Sequence, residues 1–185
     1  WRSVYEQQLK DLLSKGFARE VPESEIEEKK AAGWKTYYIA HQMALNPSSK
    51  TTPVRVVYNC SQVYKGHSLN SCLALGPENG LASLHGVLLR LREGPYAAQG
   101  DISKQYYMIR LEPEEEMMQL WLWQFEGTDQ VKTHCMTRLV MGLIPSTNIA
   151  VIAMKETSKL GNFKADKPDA HQALSKDSYA DNTFV

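Results

Sequence analysis

No apolar run in this sequence approaches the roughly 20 residues of a membrane span, and its first residues carry no apolar signal-peptide core. Cysteine is scarce. Cys60, Cys72 and Cys135 are odd in number and widely spaced, with no C-x-x-C pair and no clustered histidine. That fits reduced thiols in an intracellular protein better than a disulfide framework or a zinc site. An excess of one charge is missing too: Lys and Arg total 21, as do Asp and Glu. A globally basic nucleic-acid binder is therefore excluded, and any such site must be local. Internal repeats and low-complexity segments are absent. What is present is a 43% apolar fraction over 185 residues, enough for one sizeable core or two small ones. The chain opens on Trp1 and closes on Asn182-Thr183-Phe184-Val185 without a polar tail, the expectation for a piece of a longer protein.

Val4, Leu9, Leu12 and Leu13 recur at helical spacing, with Gly16 at a C-cap position, and predict an opening helix. The charged stretch 22–33 reads as a solvated helix face or loop. Residues 34–45 are aromatic and β-branched, 46–53 carry turn residues and 54–58 read as a strand, which predicts a hairpin with a basic, polar tip. Leu81, Leu84, Val87, Leu88 and Leu91 mark an amphipathic helix stopped by Gly94-Pro95. Strand-like runs follow at 96–102, 108–111, 119–125 and 135–140. Pro145 fits the first turn of a helix running to Lys159, and 164–178 is polar, loop-like or weakly helical. This order argues for an α+β fold rather than a doubly wound sheet.

Two places could carry chemistry. Asp101 ends a strand-like run, with Gly100 before it and Tyr106 five positions on; alone, such a residue is more often a turn residue or helix N-cap than a metal ligand. Tyr179-Ala180-Asp181-Asn182, followed by apolar Phe184 and Val185, is equally an ordinary Asp-Asn hairpin turn. Trp121 and Trp123 alternate along a strand and read as core before base-stacking residues.

Order and spacing make these pieces specific. From about Tyr5 onward the chain resembles the reverse transcriptases of long-terminal-repeat retrotransposons, most closely the BEL/Pao group. Tyr38-Ile39-Ala40-His41 resembles that group's Tyr-Leu-Pro-His, and the six residues from Val54 to Asn59 resemble its V-R-V-V-F-D. Ser68-Leu69-Asn70 and Gly76-Pro77 look like its S-L-N and G-P pair, and Val87 to Arg92 like its V-L-L-R-F-R. Asp101-Ile102-Ser103-Lys104-Gln105-Tyr106 is similar to the D-I-x-K-M-F of motif A. The segment from Gly142 to Ala150 is similar to the motif B loop, with Ser146 and Ala150 in register, and Tyr179 to Asn182 stands where the Y-x-D-D of motif C is expected. The sequence departs from the pattern at Asn182, where the second aspartate is replaced, at Asn59, where Asp is usual, and at Thr147, where Pro is usual.

The resemblance implies the fingers and palm of a right-hand polymerase. Residues 1–95 would be an N-terminal helix, a fingers hairpin and connecting helices. Residues 96–185 would be an antiparallel palm sheet backed by helices, with motifs A, B and the start of C, and no thumb. It implies an RNA-directed DNA polymerase that uses Mg²⁺, or Mn²⁺, to join a primer 3′-oxygen to a deoxynucleoside triphosphate (dNTP) on an RNA or DNA template. Asp101 and Asp181 would be the catalytic carboxylates, and Asp101, Ile102 (through its carbonyl), Asp181 and Asn182 the metal ligands. Arg55 and Lys50 would meet the triphosphate, Tyr106 would be the steric gate, and Gly142 and Ser146 would shape the loop beneath the nascent base pair. The thumb and RNase H of the parent polyprotein would lie beyond residue 185. The second strand of the motif C hairpin would be missing with them, so this chain alone would polymerise little. The family works in cytoplasmic particles. The alternative is a catalytically dead remnant that binds nucleic acid or a protein partner.

Overall fold

A computed structural model describes residues 1–49, 52–75 and 81–184. In chain order the elements are α1 (Arg2–Ser14), β1 (Ala18–Glu20), α2 (Glu23–Ala31), β2 (Ala40–Leu45), β3 (Val54–Asn59), α3 (Leu84–Arg90), β4 (Gln99–Asp101), α4 (Pro113–Glu116), β5 (Leu120–Trp123), β6 (Lys132–Met136), α5 (Ser146–Thr157), α6 (Phe163–Asp166), α7 (Pro168–Lys176), β7 (Ser178–Tyr179) and β8 (Asn182–Phe184). Short 3₁₀ turns occupy Asn70–Cys72 and Gln105–Met108. The fold is α+β, and among the described residues no helix is long and apolar enough to cross a membrane.

Two compact units divide the chain, which passes from one to the other after Leu73, Ile109 and Leu143. Neither unit therefore coincides with residues 1–95 or 96–185.

In the first unit α1 buries Leu9 and Leu12, as their spacing predicts, but Tyr5 fills the core position next to Val4, which is exposed. Glu6 is buried on the same helix and stays satisfied: both carboxylate oxygens accept the Glu126 N–H at 3.2 Å, and Arg2 lies 3.4 Å away. A buried carboxylate without such donors would be strongly destabilising. The charged run at 22–33 is mostly helix, α2, anchored by a single buried side chain, Ile26. Ile26 packs with Val21, Met117, Leu120 and Cys135. β1, β6 and β5 form one antiparallel sheet in that order, and β2 pairs with β3 in the expected hairpin. Arg19 on β1 forks onto Glu25 at 2.7 and 3.1 Å and reaches Glu116 at 3.1 Å. Trp121 is fully buried and stacks on His134, ring centroids 4.3 Å apart, so this tryptophan is core. All three cysteines are free, and burial pushes the Cys60 thiol up to about 11 and that of Cys135 to about 12, which leaves both inert.

His41, from the Tyr-Ile-Ala-His string, has a structural task. Its Nε2 donates to the Leu122 carbonyl at 3.1 Å, so its Nδ1 must accept from the Tyr5 hydroxyl at 2.5 Å. Burial holds both His41 and His134 below the ordinary histidine value of 6.5. The sign follows: between pH 7 and 5 the unfolded chain takes up protons that these folded imidazoles refuse, so stability falls as pH falls. Urea midpoints should drop across that window, and His134→Phe should flatten the drop. An equal slope in the variant would contradict the burial account.

The second unit holds a separate antiparallel sheet, ordered β4–β8–β7, with α3, α5, α6 and α7. Val87, Ala150, Val151, Met154 and Ala173 are its buried apolar residues. Arg90 ties the end of α3 to the end of α7, donating through Nε to the Asp177 carboxylate and through its η-nitrogen to the Lys176 carbonyl. Arg90→Lys keeps the charge but loses the fork, and should cost about 1 kcal/mol in urea unfolding. No change would show the pair to be solvated.

Several expectations are corrected. The strand-like run at 108–111 is not a strand; it is the end of a 3₁₀ turn and an isolated bridge from Arg110 to Arg138. β5 and β6 do not join the strand of Asp101; they pair with each other, and β6 pairs on its other side with β1, which no local signal marked. Of the two readings open for residues 164–178, loop or weak helix, the helix is the one found, as α6 and α7. The hairpin at the C-terminal end is closed, because Asn182–Phe184 already forms its second strand and pairs on both sides.

Candidate functional site

The candidate site lies on the β4–β8–β7 sheet. β4 is an exposed edge strand whose register sets Gln99 opposite Phe184, Gly100 opposite Thr183 and Asp101 opposite Asn182. β8 runs down the middle, with Tyr179 of β7 also opposite Asn182. Ala180 and Asp181 make the intervening turn, and Ala180 holds a left-handed φ of 54°. The Ile102 N–H donates to the Asp181 carbonyl at 3.1 Å, pinning the turn against the end of β4.

Side chains alternate across a sheet, so Gln99, Asp101 and Asn182 share one face. Asp181 turns its carboxylate to that face, because Asn182 Nδ2 donates to Asp181 Oδ1 at 3.1 Å. The structure thus brings Asp101 and Asp181 to neighbouring positions flanking Asn182. Asp101 is exposed, and among the described residues its carboxylate has no hydrogen-bond or ion-pair partner. Asn182 Oδ1 is engaged, accepting from Gln99 Nε2 at 2.6 Å. The Ile102 carbonyl accepts the Gln105 N–H at 3.2 Å, which leaves it one lone pair.

Among the described residues there is no group of three or more His, Cys, Asp or Glu side chains able to hold a metal. Two carboxylates and a carbonyl remain, all hard oxygen donors. That set suits Mg²⁺, which is bound through one or two carboxylates and keeps several waters.

Tyr106 is half-buried, and its hydroxyl lies 3.3 Å from Thr147 Oγ1, joining the 3₁₀ turn at Gln105–Met108 to α5. Ser146 is the first residue of α5 and is buried. Gly142, in the other unit, has φ +124°, and a Cβ there would stand 2.6 Å from the Tyr58 carbonyl oxygen. The backbone approach that demands glycine here is made by β3 of the chain itself. Arg55 is exposed on β3, opposite Ala44. Lys50, Gly76 and Pro77 lie outside the described residues. Sequence reasoning missed Gln99, although its place two positions before Asp101 on a strand put both on one face. It also missed Thr147 as the partner of Tyr106.

No family model and no curated protein matches the chain. Solved structures do. The native prototype foamy virus protease-reverse transcriptase aligns with 96% of this chain at TM-score 0.61 and 16% identity. The fold is reverse-transcriptase-like. A foamy viral protease-reverse transcriptase in complex with double-stranded DNA aligns with 98% of the chain at TM-score 0.65 and 16% identity, and one in complex with an RNA/DNA hybrid with 97% at 0.62 and 16%. The chain spans 18%, 25% and 19% of those three proteins respectively. At such identity the likeness extends to the reverse-transcriptase-like fold alone.

Proposed function

We propose that this chain is the fingers-and-palm portion of a retrotransposon reverse transcriptase of the BEL/Pao group, an RNA-directed DNA polymerase. The observation that carries the reading is the pairing of the strand of Asp101 with the strand that follows Asp181, which sets Asp101 directly opposite Asn182, the residue after Asp181. Non-glycine residues in the left-handed region sit close to both aspartates, Lys104 at φ 55° and Ala180 at φ 54°, and strain of this kind gathers at functional sites.

Asp101 and Asp181, with the Ile102 carbonyl, would hold Mg²⁺ or Mn²⁺. When bound, such ions activate the primer 3′-oxygen and neutralise the leaving pyrophosphate. The protein's own part is to hold two anionic side chains side by side, an arrangement whose repulsion a cation relieves. Arg55 and Lys50 would meet the triphosphate, Tyr106 would exclude a ribose 2′-hydroxyl, and Ser146 would support the loop near the base pair. The substrates are dNTPs on a primed RNA or DNA template, and the setting is a cytoplasmic particle in which thumb and RNase H belong to the same polyprotein.

Asn182 favours a second reading, a binding module without catalysis, because it removes one anionic ligand from the family pattern. Primer extension on an RNA template separates the two, run on the longest polypeptide that carries this sequence with this chain beside it. Incorporation that requires Mg²⁺ or Mn²⁺ and disappears in Asp101→Ala supports the polymerase. Binding of primer-template without incorporation supports the module.

A further inference from the structure

We infer that Asn182 is a positioning residue, not a metal ligand: clamped by Gln99, it orients the Asp181 carboxylate toward Asp101. The inference rests on the polymerase reading of this site. The amide of Asn182 has two chemically different ends, and its neighbours decide which way it points. Asp181 Oδ1, 3.1 Å away, is an acceptor only, so the end facing it must be the NH₂. The oxygen end then faces Gln99, whose Nε2 donates to it at 2.6 Å. A flipped amide would set two oxygens against each other, so the orientation follows from the hydrogen-bond network. Oδ1 of Asn182 thereby spends one of its two lone pairs within the protein, and the short bond to Gln99 holds the amide in place.

Strand register explains why an amide suits this position. Asn182 lies directly opposite Asp101 and next to Asp181. A carboxylate there would place like charges opposite one another, which destabilises a strand pair. The amide adds no charge, and its NH₂ restrains Asp181 instead. Gln99, diagonally across on the same face, completes a relay of donors running Gln99 to Asn182 to Asp181. The side chain that the family pattern assigns to ligation becomes a strut for the one before it.

Two measurements on the intact chain test this. In the metal-free protein, the ¹⁵N side-chain amide resonance of Asn182 should shift, and its hydrogen exchange should speed up, in both Gln99→Ala and Asp181→Ala. An Asn182 amide insensitive to both overturns the relay. In Mn²⁺ titrations followed by electron paramagnetic resonance, Gln99→Ala and Asn182→Ala should each weaken binding about threefold to tenfold, the worth of one hydrogen bond, and the double variant no further. Weakening by Asn182→Ala with unchanged or tighter binding in Gln99→Ala makes Asn182 a direct ligand and overturns the inference. If Mn²⁺ does not bind, or binds equally to Asp101→Ala, the polymerase reading fails, and the amide resonances still decide the relay.

Discussion

The Gly142→Ala variant is expected to lose about 2–5 kcal/mol of unfolding free energy, the largest effect of an added methyl at any of the described glycines. Two costs combine. At φ +124° a side chain is strained wherever it points, and the new Cβ would stand 2.6 Å from the Tyr58 carbonyl oxygen. That oxygen has little room to yield. Tyr58 pairs with His41 in the β2–β3 ladder, its ring is buried, and its hydroxyl lies 3.1 Å from Met136 Sδ. On the other side, the Gly142 carbonyl accepts from Asn70 Nδ2 at 2.9 Å. Gly33→Ala is the control, since Gly33 has φ +88° but nothing within 4 Å of its Cβ position. It should cost about 1 kcal/mol, from conformation alone. Urea unfolding of both variants measures the difference, and equal losses would show that the close approach to Tyr58 contributes nothing. A domain with about 5–15 kcal/mol of stability feels the larger loss throughout.

On the proposed polymerase reading, Asp101→Ala in the longest polypeptide that carries this sequence should lower nucleotide incorporation by about a thousandfold, while leaving the fold intact. The two halves of this expectation have separate causes. Asp101 is exposed and, among the described residues, has no side-chain partner, so its removal should change unfolding free energy by no more than about 0.5 kcal/mol. Its chemical role would be to supply one of two carboxylates to a cation, and its loss would halve the anionic charge the protein offers that ion. Primer extension and urea unfolding on the same preparation read both. Incorporation that survives the substitution would remove Asp101 from the chemistry. A collapse of stability would make it a structural residue.

Elements set by local pattern are legible in the amino-acid order itself. The spacing of Leu9 and Leu12 marks α1, the turn residues at 46–53 mark the β2–β3 hairpin, and Pro145 marks the start of α5, all of which the structure contains. The amphipathic run at 84–91 likewise becomes α3. Pairing is what local pattern does not reach. β1 is a three-residue strand with no periodicity to detect, yet it flanks β6 and claims β5 and β6 for a sheet apart from Asp101. The run at 108–111 has strand composition but meets only one bridge partner, and tertiary context overrides it. β8 goes undetected because a strand of Asn182, Thr183 and Phe184 is stable only through neighbours on both sides, Gln99–Asp101 and Ser178–Tyr179.

The candidate site divides along the same line. By itself the sequence determined which residue types stand in which order: an aspartate after a strand, a glycine-bounded loop before a helix, an aspartate in a turn, and an asparagine where an anion was expected. Chemistry attaches to residue identity, and identity is local. Only the tertiary structure decided that Asp101 faces Asn182, that Gln99 holds the asparagine's oxygen, and that Gly142 is required by Tyr58. Those facts depend on register and close approach between segments far apart in the chain, as Gln99 and Asn182 are with |i−j| of 83. A one-residue slip in pairing would send each side chain to the other face, and no local pattern can specify which slip the folded chain adopts.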